Sequence, residues 1–357
     1  MSPSKILDTH IHLWPAESCV STAHSWMTPG HFLAKPHVLS TYLSASNDPR
    51  VKGVIYVETD RSISSVPPAH TNSGRSARDE AMISRVLMQS WAHEPLEEIR
   101  FLRGIVESGG KEGEMLKGCV LYAPMQLPEH MFNTYLAIAE EAAGPELWKR
   151  VVGFRYLLQA KEEGVVEKLV SSEQWIANLV TLGSGRAGRG WTFDVGIDIN
   201  RDGEGVLQDV AGMIAEVRKR GSNVRFILNH LCKPPLSDPA PSQAWISALL
   251  SFKSDSNIYM KLSGALNEFS SPTPDSVPAM LDTLRPYLNT VFDCFPDRVM
   301  FGSDWPVCNV GGPKGEEGNW GFWRDVVEAC MEDRGMRPEE REGVWSGAGE
   351  SAYGVQI

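Results

Sequence analysis

No apolar run in this chain is longer than about six residues, far short of the ~20 that a membrane-spanning helix needs, so no such span is expected. Basic residues are in deficit: 34 Lys and Arg stand against 45 Asp and Glu, a net charge of −11 with histidine neutral. A nucleic-acid partner is not expected, because binding one takes a basic face that displaces phosphate counterions. Cysteine is sparse. Cys19, Cys119, Cys232, Cys294, Cys308 and Cys330 contain no CxxC pair, and six in 357 residues make no disulfide scaffold. They read as reduced thiols of a cytosolic protein. Residues 1–5 lead straight into an apolar run without a signal-type segment, so the expected location is cytoplasmic. Internal repeats are absent.

What is present is an ordinary globular composition, 42% hydrophobic and 22% charged, which excludes wholesale disorder. Tryptophan is abundant, with 11 residues. Length alone suggests two or three domains, but α/β barrels exceed 250 residues as one unit. No stretch of linker composition divides the chain, and one domain over residues 1–357 is expected.

Eight short, β-branched runs bounded by turn signals read as strands: residues 6–12, 51–58, 101–107, 151–156, 192–197, 224–228, 258–262 and 299–302. Helical periodicity lies between them. Val206, Val210, Ile214 and Val217 share one helix face, as do Trp323, Val326, Val327 and Cys330. Residues 79–91, 129–143, 174–182, 243–252 and 277–291 are the other helical stretches. Strands alternating with helices imply parallel pairing through crossovers, and eight units point to a (β/α)8 TIM barrel. A doubly wound open sheet has the same alternation. Residues 61–78 and 267–278, rich in Ser and Pro, read as long loops on the C-terminal face, where barrel active sites gather. Residues 110–113 read as a short turn.

Polar residues at the ends of these runs carry the chemistry. In Asp8-Thr9-His10-Ile11-His12, the two histidines are two apart on a strand and project to one side, as a pair of metal-ligating imidazoles requires. The alternative is two unrelated packed histidines. Asp304, in GSDWP after the eighth run, could bind a metal or take a proton from water, or simply cap the next helix. His230, in NHLCKP after the sixth run, could bind substrate, ligate a metal or shuttle a proton, or be a surface histidine. Lys233 could neutralise a carbonyl or carboxylate oxygen. Glu58 and Arg155 end the second and fourth runs. Trp14, Trp26 and Trp305 flank these motifs and could stack on a sugar ring, or serve as core packing. The GxGxxG match at 183–188 follows a helix and precedes a strand, the reverse of the dinucleotide fingerprint, and is read as a loop.

The ordered set DTHIHLW, VYVE, GFRYLLQ, NHLCKP, MKLSG and GSDWP, spanning residues 8–306, resembles the amidohydrolase superfamily. It is most similar to the amidohydrolase-2 type branch that contains sugar lactonases. The resemblance implies a (β/α)8 barrel holding at most one catalytic divalent ion, with zinc as the expected metal. His10 and His12 match the first-strand ligands, and Asp304 matches the eighth-strand general base and ligand. TFDVGI lacks the histidine many members carry on the fifth strand, and GFRY lacks a bridging lysine on the fourth. Glu58 would then stand in as a further ligand, and His230 would be either a fourth ligand or, as favoured, a substrate-polarising group. Arg155 and Lys233 would contact substrate oxygens.

The implied reaction is hydrolysis of a sugar-derived lactone, with L-rhamnono-1,4-lactone of rhamnose catabolism the first candidate. Asp304 would accept a proton from metal-activated water, and His230 with Lys233 would help hold the oxyanion. No GxSxG is present to supply a serine nucleophile. A metal-dependent decarboxylase of the same superfamily and an inactive barrel kept for binding are the alternatives. The expected partner is a small-molecule lactone, with a homo-oligomer as one option.

Overall fold

The computed structural model describes residues 5–68, 77–269 and 272–357. Eight parallel strands follow one another in chain order around one sheet. They are β1 (Ile6–Ile11), β2 (Val51–Val57), β3 (Leu116–Tyr122), β4 (Val151–Arg155), β5 (Thr192–Val195), β6 (Arg225–Leu228), β7 (Ile258–Leu262) and β8 (Val299–Phe301). The sheet closes back on β1 just past β8. Asp304 N donates to His10 O at 2.9 Å, and His12 N donates to Trp305 O at 2.8 Å. The expected (β/α)8 barrel is therefore the fold, and the open-sheet alternative is excluded.

Helices fill the crossovers. They are α1 (Leu39–Ser46), α2 (Ala77–Trp91), α3 (His93–Ser108), α4 (Gly110–Met115), α5 (Glu129–Trp148), α6 (Val165–Val170) and α7 (Glu173–Ser184). There follow α8 (Ile199–Asp202), α9 (Gly205–Lys219), α10 (Gln243–Ser251), α11 (Val277–Cys294), α12 (Asn319–Asp333), α13 (Pro338–Glu342) and α14 (Ala348–Tyr353). Every residue of β1, β4, β5, β7 and β8 is buried, as strands covered on both faces must be.

One strand assignment is corrected. Residues 101–107 belong to α3, and the third strand is β3, LKGCVLY, fifteen residues further on. Leu96, Ile99, Leu102 and Val106, all buried on α3, repeat at the 3.6-residue period. That longer pattern overrides the short apolar run within it. Residues 110–113 are likewise not a turn. They start α4, and the chain reverses one residue earlier through Gly109 and Gly110, at φ of +69° and +67°. The GxGxxG match spans the end of α7 and the turn before β5, the order read from the sequence. Of the two long loops, residues 69–76 and 270–271 lie outside the described residues.

Two apolar layers position the site. The main core lies between strands and helices. A smaller cluster fills the barrel's N-terminal end, where Leu7, Ile55, Val57, Val120, Ile227 and Met300 pack against Ala348, Ala352 and Tyr353 of α14. This packing stops part-way up the strands. Polar side chains occupy the opposite, C-terminal end.

Candidate active site at the C-terminal ends of the strands

β1 turns irregular as it ends, its register with β2 shifting between Asp8 and Ile11. There the rings of His10 and His12 converge, with centroids 4.9 Å apart and Nε2 atoms 3.2 Å apart. Asp304, at φ +59°, brings Oδ1 to 3.5 Å from His10 Nε2 and 3.4 Å from His12 Nε2. His10, His12 and Asp304 thus form a buried group whose ligand atoms all lie within 4.8 Å of one another. A tetrahedral ion with ~2.0–2.1 Å bonds has ligand–ligand edges of about 3.3 Å, and the three observed edges bracket that value. The donor set fits one small divalent cation. His12 Nδ1 donates to Val57 O at 2.8 Å, which leaves the Nε2 lone pair facing the group.

His230 stands beside this group, with Nε2 3.8 Å from Asp304 Oδ1 and Nδ1 2.9 Å from Ser263 Oγ. It lies on a run of four left-handed residues, His230, Leu231, Cys232 and Lys233, at φ of +54°, +59°, +62° and +48°. Such backbone costs about 1–2 kcal/mol per non-glycine residue and persists only where its surroundings impose it. Here Trp245 Nε1 donates to Leu231 O at 3.0 Å, and Lys233 Nζ binds Glu268 at 2.7 Å. The run turns both His230 and Lys233 inward and buries them.

The electrostatics follow from burial and neighbours. Burial pushes His230 down to about 3 against the opposing pull of Asp304, so its ring is neutral near pH 7. Burial and then the Lys261 charge push His10 well below the usual histidine range. Burial alone would raise Asp304, but His230, His12 and Lys233 outweigh it, and its carboxyl sits below the ordinary carboxylate value. Asp60, at the rim, is pushed up to about 6 by burial and by Glu58.

A cavity of about 370 Å³ opens above these groups, within the usual range for a small-molecule site. His12, Trp14, Trp26, Arg155, His230, Lys233 and Asp304 all line it. His10 lies beneath, fully buried. Glu58 is buried behind the wall, where Arg155 Nε donates to its Oε1 at 2.5 Å and Arg155 Nη2 to its backbone oxygen at 2.5 Å. It is not one of the three converging ligand residues. Trp305 is not among the lining residues either. Its ring packs against His37 and Tyr42, with centroids 5.2 and 5.6 Å away. His230 is not a surface histidine, and Asp304 caps no helix with its side chain.

Three charged groups that the motif reading passed over support the site. Lys261 of β7 is fully buried, with Nζ 2.7 Å from Asp194 Oδ2 and 3.2 Å from His10 Nδ1. Asp194 of β5 also accepts from Tyr353 OH at 2.9 Å. Asp8 faces outward and accepts from Tyr42 OH at 2.9 Å, Trp320 Nε1 at 3.0 Å and Ser303 N at 2.8 Å. A lone charge inside an apolar strand, as in IYMKL and TFDV, was the available signal, because such a charge needs a buried partner.

The chain is similar to known proteins in sequence and in fold. Over 99% of its length it is 27% identical to the L-rhamnono-gamma-lactonase of Scheffersomyces stipitis, all of which is covered. It is 35% identical over 130 residues to the L-fucono-1,5-lactonase of Burkholderia ambifaria, a match covering 36% of this chain and 41% of that protein. A crystal structure of an amidohydrolase from Burkholderia multivorans with bound Zn superposes with a TM-score of 0.66 at 21% identity, covering 99% of this chain and 100% of that one. Residues 190–347, which carry His230, Lys261 and Asp304, match the amidohydrolase family model. The matches fall on the same barrel and the same strand-end residues: the amidohydrolase family model covers residues 190–347, and the full-length similarity is to a lactonase.

Proposed function

We propose that this protein hydrolyses a sugar-derived lactone to the open aldonate, with L-rhamnono-1,4-lactone of rhamnose catabolism as the first candidate substrate. The observation that carries the reading is an ionised Asp304 at the floor of the cavity, beside His12 and a neutral His230. Full-length similarity to a rhamnono-lactonase supports the substrate class.

Asp304 holds the water and takes its proton as the water oxygen attacks the lactone carbonyl. His230 Nδ1 lies 2.9 Å from the Ser263 hydroxyl; in the tautomer in which that hydroxyl donates, Nε2–H faces the cavity and would stabilise the developing oxyanion. Collapse breaks the acyl–oxygen bond of the ring, and the proton held by Asp304 passes to the departing ring oxygen. The product is an aldonic acid, which ionises and releases one proton. His10, His12 and Asp304 would hold one divalent ion, with zinc the first candidate, and that ion supplies Lewis-acid charge stabilisation when bound. Trp14 and Trp26 meet edge to face, with centroids 5.6 Å apart, and present apolar surface to the sugar ring.

The cations of the wall favour an uncharged substrate. Arg155 is already paired with Glu58, and Lys233 with Glu268. Neither is left over to grip a free carboxylate, which disfavours the decarboxylase alternative. Acid release on a panel of aldonolactones, L-rhamnono-1,4-lactone and L-fuconolactone included, tests the proposal. Rapid turnover of one or two lactones is expected, with kcat/KM reduced at least ~100-fold in Asp304→Asn. Absence of turnover on every lactone would remove the reading.

A further inference from the structure

The N-terminal face of the barrel, at the far end of the strands from the cavity, gathers three arginines. Arg186 and Arg189 lie in the turn between α7 and β5, and Arg225 is the first residue of β6. Arg186 and Arg189 meet at the end of α14, and Arg225 reaches the backbone of the same turn. Arg186 Nη1 donates to Tyr353 O at 2.7 Å. The Arg189 guanidinium packs on Gly354, where a Cβ would fall 2.0 Å from its Cζ. Arg225 Nη2 donates to the backbone oxygens of Arg189 and Gly190 at 3.3 and 3.0 Å.

These contacts satisfy some N–H groups but neutralise no charge. Among the described residues, none of the three has a carboxylate within 4.0 Å, whereas Arg218, Arg220 and Arg334 each do. In a chain with 45 acidic and 34 basic residues, an unbalanced trio of cations is against the run of the surface. The charges also act on one another. Burial and then Arg189 and Arg225 push Arg186 down to about 10, and burial and Arg189 push Arg225 down. Donors remain unused: Arg225 Nε is buried without an acceptor. The Arg189 side chain, exposed to solvent, donates no hydrogen bond among the described residues.

We propose that Arg186, Arg189 and Arg225 form an oxyanion site that takes a phosphate group. Guanidinium forks match phosphate oxygens bidentately, and a bound anion relieves the mutual repulsion of the three cations. The site shares no residue with the cavity and does not depend on the lactone reading.

Calorimetric titration of the intact protein with inorganic phosphate, pyrophosphate and AMP, against chloride at equal ionic strength, tests it. Saturable binding of at least one phosphate is expected, weakened at least ~10-fold in Arg189→Gln. That side chain is exposed and holds no backbone group, so the variant keeps its fold. Arg225→Lys, which retains the charge but loses the fork, is expected to weaken binding as well. Pyrophosphate should raise the unfolding midpoint of the wild type by a few degrees and leave Arg189→Gln unmoved. Tighter binding of AMP than of inorganic phosphate would assign a phosphorylated metabolite, and equal affinities would assign free phosphate. Heats no different from chloride, or equal binding by the wild type and both variants, would overturn the site.

Discussion

Gly264 sets the seat of His230. It sits at φ +63°, and a Cβ there would stand 2.4 Å from His230 Nδ1. Gly264→Ala is expected to push the ring off Ser263 and lower kcat/KM at least ~10-fold, the smaller end of what a displaced catalytic group loses. Far-UV circular dichroism should stay native, and unchanged kinetics would show that the ring tolerates the shift. His12→Ala probes the cation group directly. Chelator competition should show zinc affinity at least ~100-fold weaker, beyond the loss seen when only an outer partner is removed. An unaltered zinc affinity would place the ion elsewhere. Single residues were the most legible part of the chain. His10, His12, His230 and Asp304 stand out because a polar group ending an apolar strand must face either water or a partner. The pairing of Arg155 with Glu58 was not legible, since the two are 97 positions apart and only barrel closure joins them.

Among the elements, the junction of β1, the turn after β8 and α12 depends on one carboxylate. Asp8 accepts from Tyr42 of α1, Trp320 of α12 and the backbone N–H of Ser303, the residue before Asp304. Asp8→Ala leaves those donors buried without an acceptor, at about 1–3 kcal/mol for each unsatisfied group. A fall of at least ~5 °C in unfolding midpoint is expected, with a smaller fall for Asp8→Asn, which keeps one oxygen. Equal midpoints for wild type and Asp8→Ala would mean that water replaces the carboxylate. Element type was legible wherever the period was long, as in α9 and α11. It failed for α3, where FLRGIVE looks like a strand when read over seven residues and like a helix face when read over eleven. The true β3 carries Gly118 and Lys117 among its apolar residues, which dilutes its local signal.

At the scale of the whole molecule, acid pH should loosen the fold through two buried histidines. Burial and then Arg61 push His24 down to about 3, and burial and then Lys35 push His37 down to about 4. Below the ordinary value near 6.5 the unfolded chain takes up these protons and the folded chain does not. Their stabilising contribution is complete above pH 6.5 and is lost as pH falls from 6.5 toward 3–4. Urea midpoints at pH 7.5, 6 and 5 check this. The wild type should lose more stability over that range than the His24→Gln, His37→Gln double variant, and parallel curves would contradict it. Local periodicity was enough for the alternation of strands and helices and for the strand-end motifs, because neighbours in the chain carry that information, but it allowed a closed barrel and an open sheet alike. Tertiary structure alone decided that α14 plugs the N-terminal end, that Tyr353, Asp194 and Lys261 reach His10 from below, and that Arg155 faces Glu58. Each of these joins residues far apart in sequence whose charges find partners only once the sheet has closed into a ring.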